Sequence, residues 1–166
     1  MFELFVVVGA PAVGKSTASK AVCAEFPRSV HIPVDDLRDM VVSGHAMPGE
    51  EWSDELVHQV TLARSAALDM AARYREDGYT VVIDDFLDPP LLQEYRALAG
   101  RPDVRRVILC PEPAEAHRRN LVRSGESEYR DYIDGGIRHV YGYVSAAATA
   151  LRNEGWTVLD LSLIHI

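Results

Sequence analysis

Gly9-Ala10-Pro11-Ala12-Val13-Gly14-Lys15-Ser16-Thr17 follows the apolar run Leu4-Phe5-Val6-Val7-Val8 and leads into a stretch of helix formers ending near Phe26. Its pattern is G-x-x-x-x-G-K-S, the signature of a phosphate-binding P-loop. The apolar run reads as a strand buried on both faces. Strand, glycine turn and helix, in that order, are the context in which the pattern has physical meaning. Gly9 and Gly14 allow a tight turn and a close approach of backbone to ligand with no Cβ in the way. Successive N–H groups then converge into an anion nest. The helix opening near Gly14 adds its free N–H groups and the positive end of its dipole. Lys15 is expected to bridge the β- and γ-phosphates, and the Ser16 hydroxyl to ligate Mg²⁺. Gly9, Ala10, Pro11, Ala12, Val13, Gly14, Lys15, Ser16 and Thr17 together are therefore expected to hold a nucleoside triphosphate.

Outward from this loop, strand and helix patterns alternate. Ser29–Val34 reads as a second strand with Asp35-Asp36 at its carboxyl end, and Asp36 is expected to cap a short helix from Leu37 to Val42. A long amphipathic helix is predicted from about Glu51 to Asp77, with Trp52, Leu56, Val60, Ala63, Ala67, Met70 and Tyr74 on one face. Thr80–Asp84 is a third strand, and Pro89-Pro90 opens a helix through Leu98. Val104–Cys110 is a fourth strand. Pro113 opens a helix that carries Arg118, Arg119 and Arg123 and breaks at Ser124-Gly125. A last helix spans Glu128 to Arg152, weakened where Gly135-Gly136 interrupts it, before a fifth strand at Trp156–Asp160. This alternation predicts a three-layer α/β fold, a five-stranded parallel sheet with helices on both faces.

The chain of 166 residues, 48% of them apolar, is enough for one domain with a core, expected over residues 1–160. Its 25 acidic against 17 basic residues give a net charge of −8, which argues against a long polyanionic partner. Cys23 and Cys110 fall within helix and strand patterns and read as small core residues in a reducing compartment. No apolar run is long enough to cross a bilayer and no leader is visible, so a cytoplasmic protein without membrane partner is expected. Leu161-Ser162-Leu163-Ile164-His165-Ile166 is what CTG TCT CTT ATA CAC ATC encodes, a transposase-end sequencing adapter. The natural chain is expected to have been cut near Asp160, with a final helix missing.

Parallel sheets bind ligands beyond the carboxyl ends of their strands, where the loop, Asp35-Asp36 and Asp84-Asp85 should meet. A carboxylate at Asp35, facing the γ-phosphate, can accept the proton of an attacking hydroxyl. Arg38 is placed to bind an anionic group on that acceptor, or to lie solvated on the surface. Asp84 and Asp85 close an apolar strand as a Walker-B acid does, one of them expected to hold Mg²⁺ through water, or to orient an arginine or the acceptor. Adjacent strand residues point to opposite faces, so the two acids are not expected to share a role unless the strand has already ended. Arg119 and Arg123 lie on one helix face and can offset charge on a transferring phosphoryl group, as an arginine finger does. His31, His45, His58, His117 and His139 show no metal-ligand spacing and read as structural or exposed.

These segments resemble the P-loop kinases grouped around polynucleotide 5′-kinase, chloramphenicol phosphotransferase and the zeta-toxin sugar-nucleotide kinases. Val34-Asp35-Asp36-Leu37-Arg38 is similar to the polynucleotide kinase segment in which the first acid is the base and the arginine binds the acceptor. Arg119-Asn120-Leu121-Val122-Arg123-Ser124-Gly125 resembles that kinase's lid, whose second arginine contacts the donor phosphates. Ile83-Asp84-Asp85 resembles the drug kinase's Ile-Asp-Asp, while its acceptor pocket has no recognisable counterpart in Val41–Trp52. The resemblance implies an ATP-dependent phosphotransferase acting on a small-molecule hydroxyl, with ATP and Mg²⁺ as cofactors and a small arginine-bearing lid. Lys15, Asp35, Arg119 and Arg123 would be catalytic. Asp36, Arg38 and Asp85 would bind the acceptor, and Ser16 and Asp84 would serve the metal. A regulatory ATPase without an acceptor and a polynucleotide 5′-hydroxyl kinase are the alternatives.

Overall fold

The computed structural model describes residues 2–47, 52–87 and 92–160, and of Glu128 and Tyr129 the backbone alone. Five strands, β1 (Leu4–Gly9), β2 (Ser29–Pro33), β3 (Thr80–Phe86), β4 (Val104–Leu109) and β5 (Thr157–Leu159), form one parallel sheet in the order β2-β3-β1-β4-β5. The helices are α1 (Lys15–Ala24), α2 (Val34–Arg38), α3 (Asp54–Glu76), α4 (Gln93–Arg96), α5 (Pro113–Ser124) and α6 (Glu128–Asn153). This is the α/β architecture expected from the alternation. β1 is the central strand, and Leu4, Val6, Val7 and Val8 are buried in it because helices cover both faces.

Register sets what meets at the carboxyl edge. Gly9 lies level with Phe86 on one side and Leu109 on the other, and Asp84 lies level with Val7 and Pro33. β3 thus stands between the phosphate loop and the segment carrying Asp35, although β2 precedes it in sequence.

Several boundaries differ from the expected ones, for physical reasons. α2 begins at Val34, directly after Pro33, so Asp35 and Asp36 occupy its first turn and Asp36 is not a cap. Two carboxylates there favour the positive helix end, and the turn closes at Arg38 rather than Val42. α3 starts at Asp54 behind Ser53, whose hydroxyl accepts the Leu56 N–H at 3.2 Å, so Trp52 lies outside the helix. Its buried stripe ends on Ala71, whereas Tyr74 is exposed. The helix expected from Pro89-Pro90 is described only as α4; the two prolines lie outside the described residues, as do residues 161–166. β5 is shorter than expected. α6 runs unbroken through Gly135 and Gly136, and a Cβ on Gly136 would come within 3.3 Å of Pro11 Cγ. That glycine lets the helix pass against the phosphate loop.

No helix of the described residues is long and apolar enough to cross a membrane.

Candidate active site

The loop between β1 and α1 takes its shape from two residues in the left-handed region, Ala12 at φ 60° and Gly14 at φ 96°. Gly14 is the N-cap of α1 and makes no side-chain cap, and no acid stands in the first turn. The helix start therefore keeps its N–H groups for an incoming anion. Gly9 has a packing role as well as the one expected of it. It ends the strand, and a Cβ there would sit 2.7 Å from the Leu109 carbonyl oxygen and 2.9 Å from Val13 Cγ2. Its missing side chain serves the packing of the loop onto β4.

Lys15 folds back and donates to the Ala10 carbonyl at 3.1 Å. Burial lowers the pKa of its ammonium, opposed by the negative charges of Asp35, Asp84 and Asp85 and assisted by Arg123. That set of neighbours is itself structural: the loop lysine, the acid of α2 and both acids of β3 lie within electrostatic reach of one another. A cavity of about 260 Å³ opens beside it, lined by Ala12, Gly14, Lys15, Ser16, Thr17, Arg119 and Arg123.

The two arginines of α5 expected at the phosphates differ. Arg119 donates Nε–H to Glu115 at 2.7 Å and Nη1–H to the Val13 carbonyl at 2.9 Å, tying α5 to the phosphate loop. Arg123 is exposed, lines the cavity, and makes no hydrogen bond or ion pair among the described residues. Arg118 turns away, with both its bonds to Glu115 at 2.7 Å.

Asp35 and Asp36 are exposed on α2, and Arg38 lies one turn after Asp35 on the same side of that short helix. The Arg38 side chain is 15% exposed and Nη2 stands 3.8 Å from Asp39, while its buried Nε donates to nothing among the described residues.

β3 continues to Phe86, so its two acids do point to opposite faces. Asp84 Oδ2 meets His31 Nε2 at 2.5 Å. Asp85, expected from the sequence to bind the acceptor or to orient an arginine, is 2% exposed and enclosed by Arg64 of α3 and Tyr95 of α4. Arg64 donates Nε–H to its Oδ2 at 2.5 Å, Tyr95 donates O–H to the same oxygen at 2.9 Å, and Oδ1 accepts the Phe86 N–H at 2.7 Å. The guanidinium also reaches the Phe86 carbonyl at 3.2 Å and lies 5.6 Å from the Tyr95 ring centre. With its oxygens so occupied, Asp85 is a strut between sheet and helices.

Sequence reading missed three residues here. Arg64 had a signal: a cation beside Ala63 and Ala67 on the mostly apolar buried face of α3. His31 and Tyr95 had none, because their partners lie on other elements. Trp52, read as part of a helix stripe, stacks on Phe86 with ring centres 6.1 Å apart at the edge of the site. Among the described residues no three His, Cys, Asp or Glu side chains gather to hold a metal on their own. A cation at this loop would take its remaining donors from the phosphates beside the Ser16 hydroxyl, and the donor set fits that arrangement.

A glycine-turned loop at a helix N-terminus, set on the central strand of a β2-β3-β1-β4-β5 parallel sheet, defines a P-loop nucleotide-binding fold. The family model described as an AAA domain matches residues 4–136, and the chain belongs to that family. No curated protein matches the sequence. Among solved structures, a gluconokinase from Sinorhizobium meliloti 1021 superposes with a TM-score of 0.63 at 15% identity, over 96% of this chain and 83% of that one. An unliganded sugar kinase from Janibacter sp. HTCC2649 gives 0.59 at 20% identity, over 97% and 86%. A shikimate kinase from Bacteroides thetaiotaomicron gives 0.56 at 14% identity, over 96% and 86%. At these identities the likeness is one of fold.

Proposed function

We propose that the chain is an ATP-dependent phosphotransferase that moves the γ-phosphate to a hydroxyl of a small molecule. The observation that carries this reading is the position of Asp35, exposed in the first turn of α2 at the same carboxyl edge of the sheet as the phosphate loop, with Lys15 among the charges it influences. A carboxylate at this position can take a proton from an alcohol aligned with the γ-phosphate. In the transfer, the acceptor oxygen bonds to the γ-phosphorus, the bond from that phosphorus to the ADP oxygen breaks, and the hydroxyl proton passes to Asp35. Lys15 and Arg123, which line one cavity, spread the charge on the moving group. Arg119 holds the loop that holds the phosphates. Mg²⁺, bound at the Ser16 hydroxyl with Asp84 beside it, would neutralise phosphate charge. Arg38, one turn after Asp35 on α2, would bind an anionic group of the acceptor. The sheet shared with gluconokinase, sugar kinase and shikimate kinase structures supports a small-molecule acceptor, and the net charge of −8 disfavours a polynucleotide.

Screening metabolites, aminoglycosides, phenicols, nucleosides and sugar nucleotides for acceleration of ADP release above the water background tests the reading. Asp35→Ala is expected to lower turnover on the acceptor so found by about 10²–10⁴-fold, the usual worth of a positioned general base, while ATP affinity stays near wild type. Lys15→Ala is expected to damage both. Unchanged turnover in Asp35→Ala would remove Asp35 from the chemistry, and no acceptor in any class would return the chain to a regulatory ATPase.

A further inference from the structure

The β2 strand is apolar at Val30 and Ile32 but places His31 between them. His31 lies level with Val82, two residues before Asp84 on the same face of β3, so the imidazole and the carboxylate come together diagonally across the strands. Nε2 and Oδ2 are 2.5 Å apart, and the side chains are 13% and 5% exposed. The other carboxylate oxygen, Oδ1, makes no hydrogen bond among the described residues and is not an enclosed orphan. Asp84 is at the same time one of the charges felt by Lys15. A ring that served packing alone would be better replaced by another Val or Ile, because taking imidazole and carboxylate from water together is costly. A donor aimed at one oxygen of an acid that borders the phosphate loop does something an apolar residue cannot. It fixes the carboxylate rotamer and leaves the second oxygen in one place.

We propose that His31 is a positioning residue: its Nε2–H holds Asp84 so that the free oxygen stays set for the cation that accompanies the nucleotide. The proposal rests on the reading of Asp84 as the carboxylate on the cation side. It extends to this chain the general behaviour of acidic groups near metals, whose own hydrogen bonds set their orientation.

The test is calorimetric binding of ATP to the full chain, with Mg²⁺ and with EDTA; the ratio of the two dissociation constants is the gain due to the cation. His31→Leu is expected to cut that gain roughly 3–10-fold, below the range for residues that touch a metal ligand directly because Asp84 acts through water. His31→Gln, which keeps an N–H of similar reach, should retain most of the gain. His31→Asn, polar but too short to reach, should lose it as leucine does, and it serves where the leucine variant does not fold. Asp84→Asn separates the two levels of the reading. If it lowers the gain and the His31 variants do not, His31 only packs the sheet, and the proposal is overturned while the role of Asp84 stands. If Asp84→Asn leaves the gain intact, both fall. Where both single variants lower it, Asp84→Asn combined with His31→Asn should be no worse than Asp84→Asn alone, since the two act through one oxygen. A melting temperature lowered with the gain unchanged in every His31 variant also overturns the proposal.

Discussion

Arg64 donates to Asp85 at 2.5 Å where its own side chain is 0% and the carboxylate 2% exposed, beneath the strand end that carries the candidate site. Burial lifts the Asp85 carboxyl above its ordinary range, against the pull of Arg64. Such a pair contributes little against a well-packed apolar replacement, but losing one member strands the other without water. Arg64→Leu is therefore expected to cost about 3–5 kcal/mol, a large part of a typical domain's stability. Urea unfolding measures it, and a loss under about 1 kcal/mol would mean that Asp85 finds other partners. Arg64→Leu combined with Asp85→Leu should recover part of the loss. Gly9 gives the same lesson in small: its neighbours Val13 and Leu109 forbid a side chain there.

Polar contacts tie α5 to α6. Asn120 donates to Asp134 at 2.9 Å and to the Arg130 carbonyl at 3.1 Å, and Ser124 donates to Asn120 at 2.9 Å. On its outer side Glu115 binds Arg118 and Arg119, and their hydrogen bonds hold its carboxyl down at about 2 against an ordinary 4.5. A carboxylate depressed in the folded state stabilises above its unfolded value and loses that contribution as pH falls through the folded one. The pairing of Glu115 with Arg118 and Arg119 is thus expected to be intact at neutral pH and to weaken from about pH 4.5 down to about 2. Asp134, also held below its ordinary value, chiefly by the Asn120 side chain, acts in the same direction. Melting temperatures taken from pH 6 to 3 should fall less steeply for Glu115→Gln than for the wild type. Parallel curves would show that the ion pair adds nothing to stability.

At the scale of the molecule, the fold brings four segments distant in sequence to one edge of one sheet: the phosphate loop, the start of α2, the end of β3 and helix α5. A ligand that binds only this assembled edge must stabilise the whole. Mg·ATP at a hundred times its dissociation constant is expected to raise the unfolding free energy by about 2.7 kcal/mol, seen as an upward shift in melting temperature. Lys15→Ala should forfeit most of that shift. A nucleotide that leaves the wild-type transition unmoved at millimolar concentration would contradict the site. Order β2-β3-β1-β4-β5 was not legible beforehand, because strand patterns carry no neighbour information. Strand and helix types were legible, since burial on two faces or one leaves its period in the residues.

Gly14, Lys15 and Ser16 between an apolar strand and a helix suffice, as letters alone, for an anion cradle, because a helix start with free N–H groups is a local consequence of the chain. The parallel α/β class follows for the same reason: each element's burial pattern is written within that element. What needed the packed molecule was partnership. Asp84 and Asp85 are neighbours of one type, and only the placement of β2 on one side and α3 and α4 on the other gave one to His31 and the other to Arg64 and Tyr95. Hydrogen bonds across the sheet are decided by which elements meet, and that depends on the whole chain closing at once.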